Sequence, residues 1–263
     1  MNKKALQKQF EYPLTWKDLA VLPAEQLALL SLANFAAAEL NILQRIYIQT
    51  AHNLTQDAAL DVAIAAQRYV VLRTWSAKLF EFAAMFEGLL KQGLEDDTTL
   101  EMAKEAVERF GALKESDGYA IVRNVRHEAS NHYSFSAALK NLSHVPDHAN
   151  CNMYMNKLDG NSYYPMGEEV MFVGRLNRHG ASIKTEEEKQ QLLVIWHDWN
   201  VEANEWLRKV HERIFSKFVS VRFPDRSARE KLYWFDPKLA GDMVPPSIPI
   251  FLRNNFVRKA EEK

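Results

Sequence analysis

One cysteine, Cys151, stands in 263 residues, which leaves no internal disulfide framework and no multi-cysteine zinc or iron–sulfur cluster. An excess of charge of either sign is also missing. Lys and Arg number 33 against 34 Asp and Glu, a net −1, so nothing draws the whole surface to nucleic acid or anionic lipid, and polyanion binding must come from a local patch. No apolar run follows the N-terminal lysines, so a signal peptide is not expected. The most apolar window, Leu27 to Ile48, is interrupted by Asn34, Glu39, Asn41, Gln44 and Arg45. It reads as a buried helix rather than a membrane span, and a soluble, cytoplasmic protein is the expectation. Internal repeats and low-complexity segments are absent as well.

Glycine and proline are scarce where the chain is rich in Ala and Leu, and that spacing predicts helices. After Pro23, suited to a first helical turn, 24–52 contains neither residue. A second helix is expected over 56–92, with Val62, Ala65, Tyr69, Leu72, Leu79, Ala83, Phe86 and Leu90 in the alternating three–four spacing of a bundle seam. Ser76 fills its one gap, and Gly93 ends it. Thr98 with Glu101 reads as a capping box opening a third helix, which Asp117 and Gly118 break. A fourth is expected over 119–142.

The texture changes over 145–184, where turn formers accumulate. "LDGNSYY" around Asp159 and Gly160 signals a hairpin, and "EEVMFVGRL" reads as one more strand. Thr185 with Glu188 forms a second capping box, opening a long helix to about Val219 with a stripe of Leu192, Trp196, Trp199, Ala203, Trp206, Val210 and Ile214. The tail, 224–263, carries five prolines and is expected to be irregular and to pack on the bundle through "LYWF" and "IPIFL". The fold class is mainly α: an antiparallel helical bundle (24–144 and 185–223) with a small β-hairpin insertion and an irregular C-terminal tail, in a single domain over 1–263.

The stretch that carries chemistry is "RHEASNHY", Arg126 to Tyr133. It nearly matches H-E-x-x-H, but zinc binding needs two histidines four apart on one helix face. His127 and His132 are five apart, about 140° around a helix. No third ligand stands nearby, so neither a metal nor any other cofactor is expected.

Read from Arg126 the pattern is R-x5-H: Arg126, polar His127, four more residues, then His132 followed by Tyr133. This resembles the HEPN superfamily, whose motif is Arg, usually a polar residue, and His after four to six intervening residues, late in a helical bundle. The resemblance spans about 24–142 plus the helix from Thr185, leaving out the insertion and the tail. It implies a metal-independent endoribonuclease, of a kind often found among toxins and phage-defence effectors, working as a homodimer whose two motifs face one cleft. A histidine with a pKa near 6.5 takes the proton of an RNA 2′-hydroxyl at neutral pH. The alkoxide attacks the adjacent phosphorus, leaving a 2′,3′-cyclic phosphate and a 5′-hydroxyl, while an arginine fork stabilises the phosphorane charge.

On that resemblance His132 is the general base or acid, Arg126 the phosphate clamp and His127 a second proton-transfer group. Glu128, four residues before His132, orients its imidazole, and Asn131 and Tyr133 position the phosphate. Arg123 belongs to a basic patch. On a regular helix Arg126 and His132 lie about 120° apart, so a cleft between two protomers is what would collect both.

Other residues read as structure. "WHDW" (Trp196 to Trp199) contains a His–Asp pair, but its tryptophans belong to the buried stripe and nothing supplies a nucleophile beside it. Cys151 has no patterned histidine, and Tyr154, Tyr163, Tyr164 and Phe172 read as hairpin packing. Two classes stay open: an RNA-binding or RNA-cleaving HEPN-like protein, for which an antitoxin is the partner to look for, and a non-catalytic helical module whose bundle face or hairpin binds another protein.

Overall fold

Asp57, in extended backbone, accepts the amide protons of Ala59 and Leu60 and thereby opens α3, Ala58–Gln92, which ends at Gly93 with φ 79°. The computed structural model describes residues 5–50, 57–128, 134–155, 157 and 160–235. Before α3 come β1 (Ala5–Glu11), the short α1 (Trp16–Leu19) and α2 (Ala24–Thr50). After it come α4 (Asp97–Lys114), α5 (Asp117–Glu128) and α6 (Phe135–Asn141). A continuous helical stretch then runs through α7 (Pro165–Glu168), a π-helical segment (Glu169–Gly174) and α8 (Arg175–Arg178). The chain closes with α9 (Glu186–Phe215), whose last turns widen over Ser216–Ser220, and β2 (Arg229–Phe235).

Side-chain pairs fix the helix directions. The start of α2 meets the end of α3: Gln26 donates to the Asp96 carboxylate, and Glu25 accepts the amides of Glu95 and Asp96. Asn204 meets Gln44 and His211 meets Asn34, so α9 runs antiparallel to α2. Trp199 bonds the carbonyl of Leu113 and Trp206 that of Ala106, so α9 is antiparallel to α4 as well. Helices α2, α3, α4 and α9 therefore form an antiparallel four-helix bundle.

Its core is aromatic. Trp75, Trp196, Trp199 and Phe86 are fully buried. Trp196 stacks on Phe172 at 5.0 Å between ring centroids, Trp199 stacks on Phe80 at 5.5 Å, and Trp206 tilts onto Phe110 at 4.8 Å. The α2 helix is long and apolar enough, by length and composition, to cross a membrane. Here Leu29, Leu30, Ala33, Leu40 and Tyr47 are buried in the bundle, while Leu32, Phe35 and Ile42 are exposed.

The expected helices appear within a few residues of their expected ends, with four corrections. The capping residue of α4 is Asp96, which accepts from the amide of Thr99, in place of Thr98. The break expected between the third and fourth helices is present, but it falls at Glu115 and Ser116, and Asp117 and Gly118 stand in the first turn of α5, where a Cβ on Gly118 would lie 2.5 Å from Trp199 Cβ: the glycine lets α5 press onto α9. The helix expected over 119–142 is not continuous. Ser134, extended at φ −97° and ψ 109°, caps α6 through its hydroxyl, since a serine side chain that bonds the amide three residues on competes with helix propagation. Finally, "EEVMFVGRL" is helical instead of a strand. Pro165 starts the turn, and Val170, Phe172, Val173 and Leu176 are all buried; a short apolar run enclosed on several sides carries no period that separates the two conformations.

The β structure is small and antiparallel. Within the insertion, Tyr154 and Tyr163 exchange two backbone hydrogen bonds of 3.0 and 2.8 Å across the expected turn. The two-stranded sheet pairs segments far apart in sequence, Ala5 opposite Phe235 through Glu11 opposite Arg229. "LYWF" lies in this ribbon, where Leu232, Tyr233 and Trp234 are exposed and not packed on the bundle. Tyr12 anchors the ribbon by donating to the carbonyls of Phe223 and Arg226, and Arg226 pairs with Asp18 at 2.6 Å. "IPIFL" lies outside the described residues.

Candidate functional site

Helix α5 is positioned by its apolar side. Val122 and Val125 are buried, Gly118 touches Trp199, and Arg123 is exposed between them. The backbone is helical through Arg126, His127 and Glu128, the last turn of α5. The side chains of 126–128, and residues 129–133 with Asn131, His132 and Tyr133, lie outside the described residues.

Around α5 the structure assembles cations that lie far apart in sequence. His179 feels Arg175, Arg178 and Arg123; burial first, then these three positive charges, pushes its imidazole below the ordinary histidine range. Arg178 reaches His179 at 3.3 Å, and Arg175 is buried, its pKa lowered by burial and by Arg178. Of these only Arg123 stands out in the sequence. The others sit on "GRLNRH", at the end of the run whose sequence suggests a strand, and no local pattern announces that α8 packs beside α5.

The His197–Asp198 pair is real but does not line the large cleft described below. Their side chains meet at 3.1 Å, Asp198 is exposed, and His197 stacks on Tyr47 with ring centroids 4.8 Å apart. Trp196 and Trp199 are buried, as the stripe required. Cys151 is a free, exposed thiol. Among the described residues no three His, Cys, Asp or Glu side chains are grouped to hold a metal ion.

At the end of the bundle where α3 and α9 begin, a cleft of about 740 Å³ opens between those helices and the 165–173 stretch. Val62 and Ala65, seam positions of α3, line it and are only partly buried, while the seam closes from Tyr69 onward. Beneath them lies a cluster of ion pairs. Lys189 Nζ is 2.6 Å from Glu169 Oε1 and 2.7 Å from Glu186 Oε1, and Arg73 grips Glu168 with two contacts of 2.5 and 2.8 Å. Burial acts to lower the Lys189 pKa, but its two carboxylates more than offset this and raise it, so the amine stays charged. No family model matches the chain, and comparison with curated proteins and with solved structures finds no match.

Proposed function

We propose that the protein is a HEPN-like RNA-binding protein and metal-independent endoribonuclease, with its phosphate site at the C-terminal end of α5 and a role in toxin action or phage defence. What carries the reading is the R-x5-H pattern from Arg126 to His132, with Arg123 exposed on the same helix three residues before it, on a chain whose net charge is only −1. An exposed arginine on α5, the helix that carries Arg126, His127 and Glu128, is where a phosphodiester would dock on an otherwise neutral surface. In this proposal Arg126 clamps the phosphate, His132 moves the 2′-hydroxyl proton, and Glu128 and Asn131 orient the groups. A twofold homodimer supplies the second histidine as the acid for the 5′ oxygen.

The test is cleavage of a labelled single-stranded RNA by the purified chain in EDTA. The expected products end in a 2′,3′-cyclic phosphate, and His132→Ala and Arg126→Ala abolish them with unchanged circular dichroism. Activity lost in EDTA and restored by zinc or magnesium overturns the mechanism. The second reading, a non-catalytic module that docks a protein, has one observation in its favour. Phe135, Leu139 and Leu142, spaced four and three apart from the start of α6, are 79%, 54% and 50% exposed, an apolar stripe of the kind that docks a partner. It takes the lead if binding to RNA is absent and the chain cleaves nothing.

A further inference from the structure

Helix α2 turns one side to the bundle and leaves the other uncovered. Ala28, Ser31, Phe35, Ala38, Ile42 and Arg45 recur every three or four residues and all are exposed, Phe35 to 63% and Ile42 to 47%. That alternation is the seam of a two-helix coil. Here it faces away from the core, which Leu29, Leu30, Ala33, Leu40 and Tyr47 join from the opposite side. Polar groups beside the stripe are turned to the protein's own helices: Asn34 meets His211 of α9, and Glu39 pairs with Lys78 of α3. The Ser31 hydroxyl donates to the Leu27 carbonyl at 2.7 Å, so drying this side chain leaves no donor unmet. From Ala28 to Ile42 the stripe carries no charge.

The order of sizes along the stripe identifies the occupant. Set head to tail against a second α2, with a twofold axis midway between Phe35 and Ala38, it places Phe35 over Ala38, Ile42 over Ser31 and Arg45 over Ala28. A large side chain meets a small one in every layer. A parallel pair fails on the same count: Phe35 would face Phe35, Ala38 would face Ala38 across a void, and the two Arg45 charges would meet. Head to tail, the two Arg45 positions stand about 26 Å apart along the axis, well beyond the Debye length of about 8 Å. Lipid fits the face less well. Although α2 is long and apolar enough to cross a membrane, its other side is built into the bundle core. Arg45 is also the one basic residue in Ala24–Thr50, whereas a helix lying on anionic lipid carries Lys and Arg along its polar flank.

We propose that α2 is a self-association face, on which a second copy of the chain docks through its own α2 in antiparallel orientation. The contact runs along about 26 Å of helix. It closes on the order of 1,000 Å², at the lower edge of specific interfaces, so it forms at high local concentration and not at low micromolar. It involves neither α5 nor the motif and adds to any pairing there.

Sedimentation equilibrium on the full chain, from low micromolar to near-millimolar concentration, tests the association, and the mean mass is expected at least to double. Phe35→Glu puts a charge into the contact, and Ala38→Arg fills the place of the opposing ring. Each is expected to hold the mass at its low-concentration value with unchanged circular dichroism; if one fails to fold, the other decides. Orientation is read from cysteines placed in a Cys151→Ser background. Chains carrying Ala28→Cys and chains carrying Arg45→Cys are expected to be joined by a short bis-maleimide when mixed, and neither kind to be joined to itself. A constant mass, a rise that neither variant reduces, a mixed pair that stays unlinked, or linkage of like to like overturns the proposal. So does a wild-type chain that floats with phosphatidylserine vesicles while Phe35→Glu does not, which would make the face a lipid patch. None of these readouts is RNA cleavage, so this contact and the nuclease reading fail separately.

Discussion

Ser76 occupies the one vacancy in the apolar seam of α3, and its hydroxyl turns that vacancy into a junction. Its Oγ accepts from Trp196 Nε1 at 2.8 Å and divides its own proton between the Leu72 carbonyl and Asn200 Oδ1, at 2.8 and 2.9 Å. Asn200 then donates to the Trp196 carbonyl at 3.1 Å. Ser76 and Asn200 are buried, so no water can replace a lost partner. Ser76→Ala is expected to cost about 1–3 kcal/mol by stranding the indole N–H and the amide oxygen, read as a lower urea midpoint with unchanged slope. The gap in the seam was legible in the sequence. Its partners were not, because they lie 120 and 124 residues further on and only the packing of α9 brings them there. At the same scale two histidines tie stability to pH. Burial lowers the pKa of His179, with three arginines adding to it, and burial also lowers that of His211 against the opposing pull of Glu212. A folded pKa below the unfolded value, about 6.5, means that the folded state disfavours the proton. Stability is thus fully present above that value and is lost as pH falls through the folded pKa values. The urea midpoint should drop between neutral and mildly acidic pH, and the double variant His179→Gln with His211→Gln should drop less.

Among the elements, close approach and capping decide the fit. Gly118→Ala places a methyl 2.5 Å from Trp199 Cβ and 3.0 Å from the Ile195 carbonyl. It is expected to destabilise by about 1–3 kcal/mol, since both neighbours are held by helix α9 and cannot yield cheaply. Thr185→Ala removes one half of a reciprocal cap, Thr185 Oγ1 to the Glu188 amide and Glu188 to the Thr185 amide, and should cost about 1 kcal/mol. Thermal melts of both variants check the order, with Gly118→Ala the lower. The long helices could be read from sequence because their caps and periods are local. The 168–176 run could not, because burial on several faces erases the period that separates strand from helix. The two-stranded ribbon was hidden for a different reason: its register joins Ala5 to Phe235, and no short-range pattern encodes a pairing at that separation. The candidate site was legible only as a motif. Arg123 and the helix that carries it could be placed from sequence, whereas the approach of His179 to Arg123 comes from tertiary packing.

For the molecule as a whole, assembly follows from the proposed chemistry. One motif offers one arginine and one histidine of the required type, and a twofold axis near the ends of α5 doubles both. Light scattering should return a dimer at micromolar concentration, and Asn131→Cys should cross-link two chains under mild oxidation. A monomer would leave the docking reading ahead. The β1–β2 ribbon has a mechanical consequence. Ala5 and Phe235 form its outermost pair, and Glu11 and Arg229 its innermost. Tension applied through residues 5 and 235 therefore loads the ladder at one edge instead of along its length. The pairs separate in succession, as in a zipper, while a shear geometry would strain all of them together. In a single-molecule pulling experiment the ribbon should peel first, at low force and in small steps. The pull then reaches Tyr12 and Arg226, the clasp that holds the ribbon to the bundle, before any helix of the core bears load.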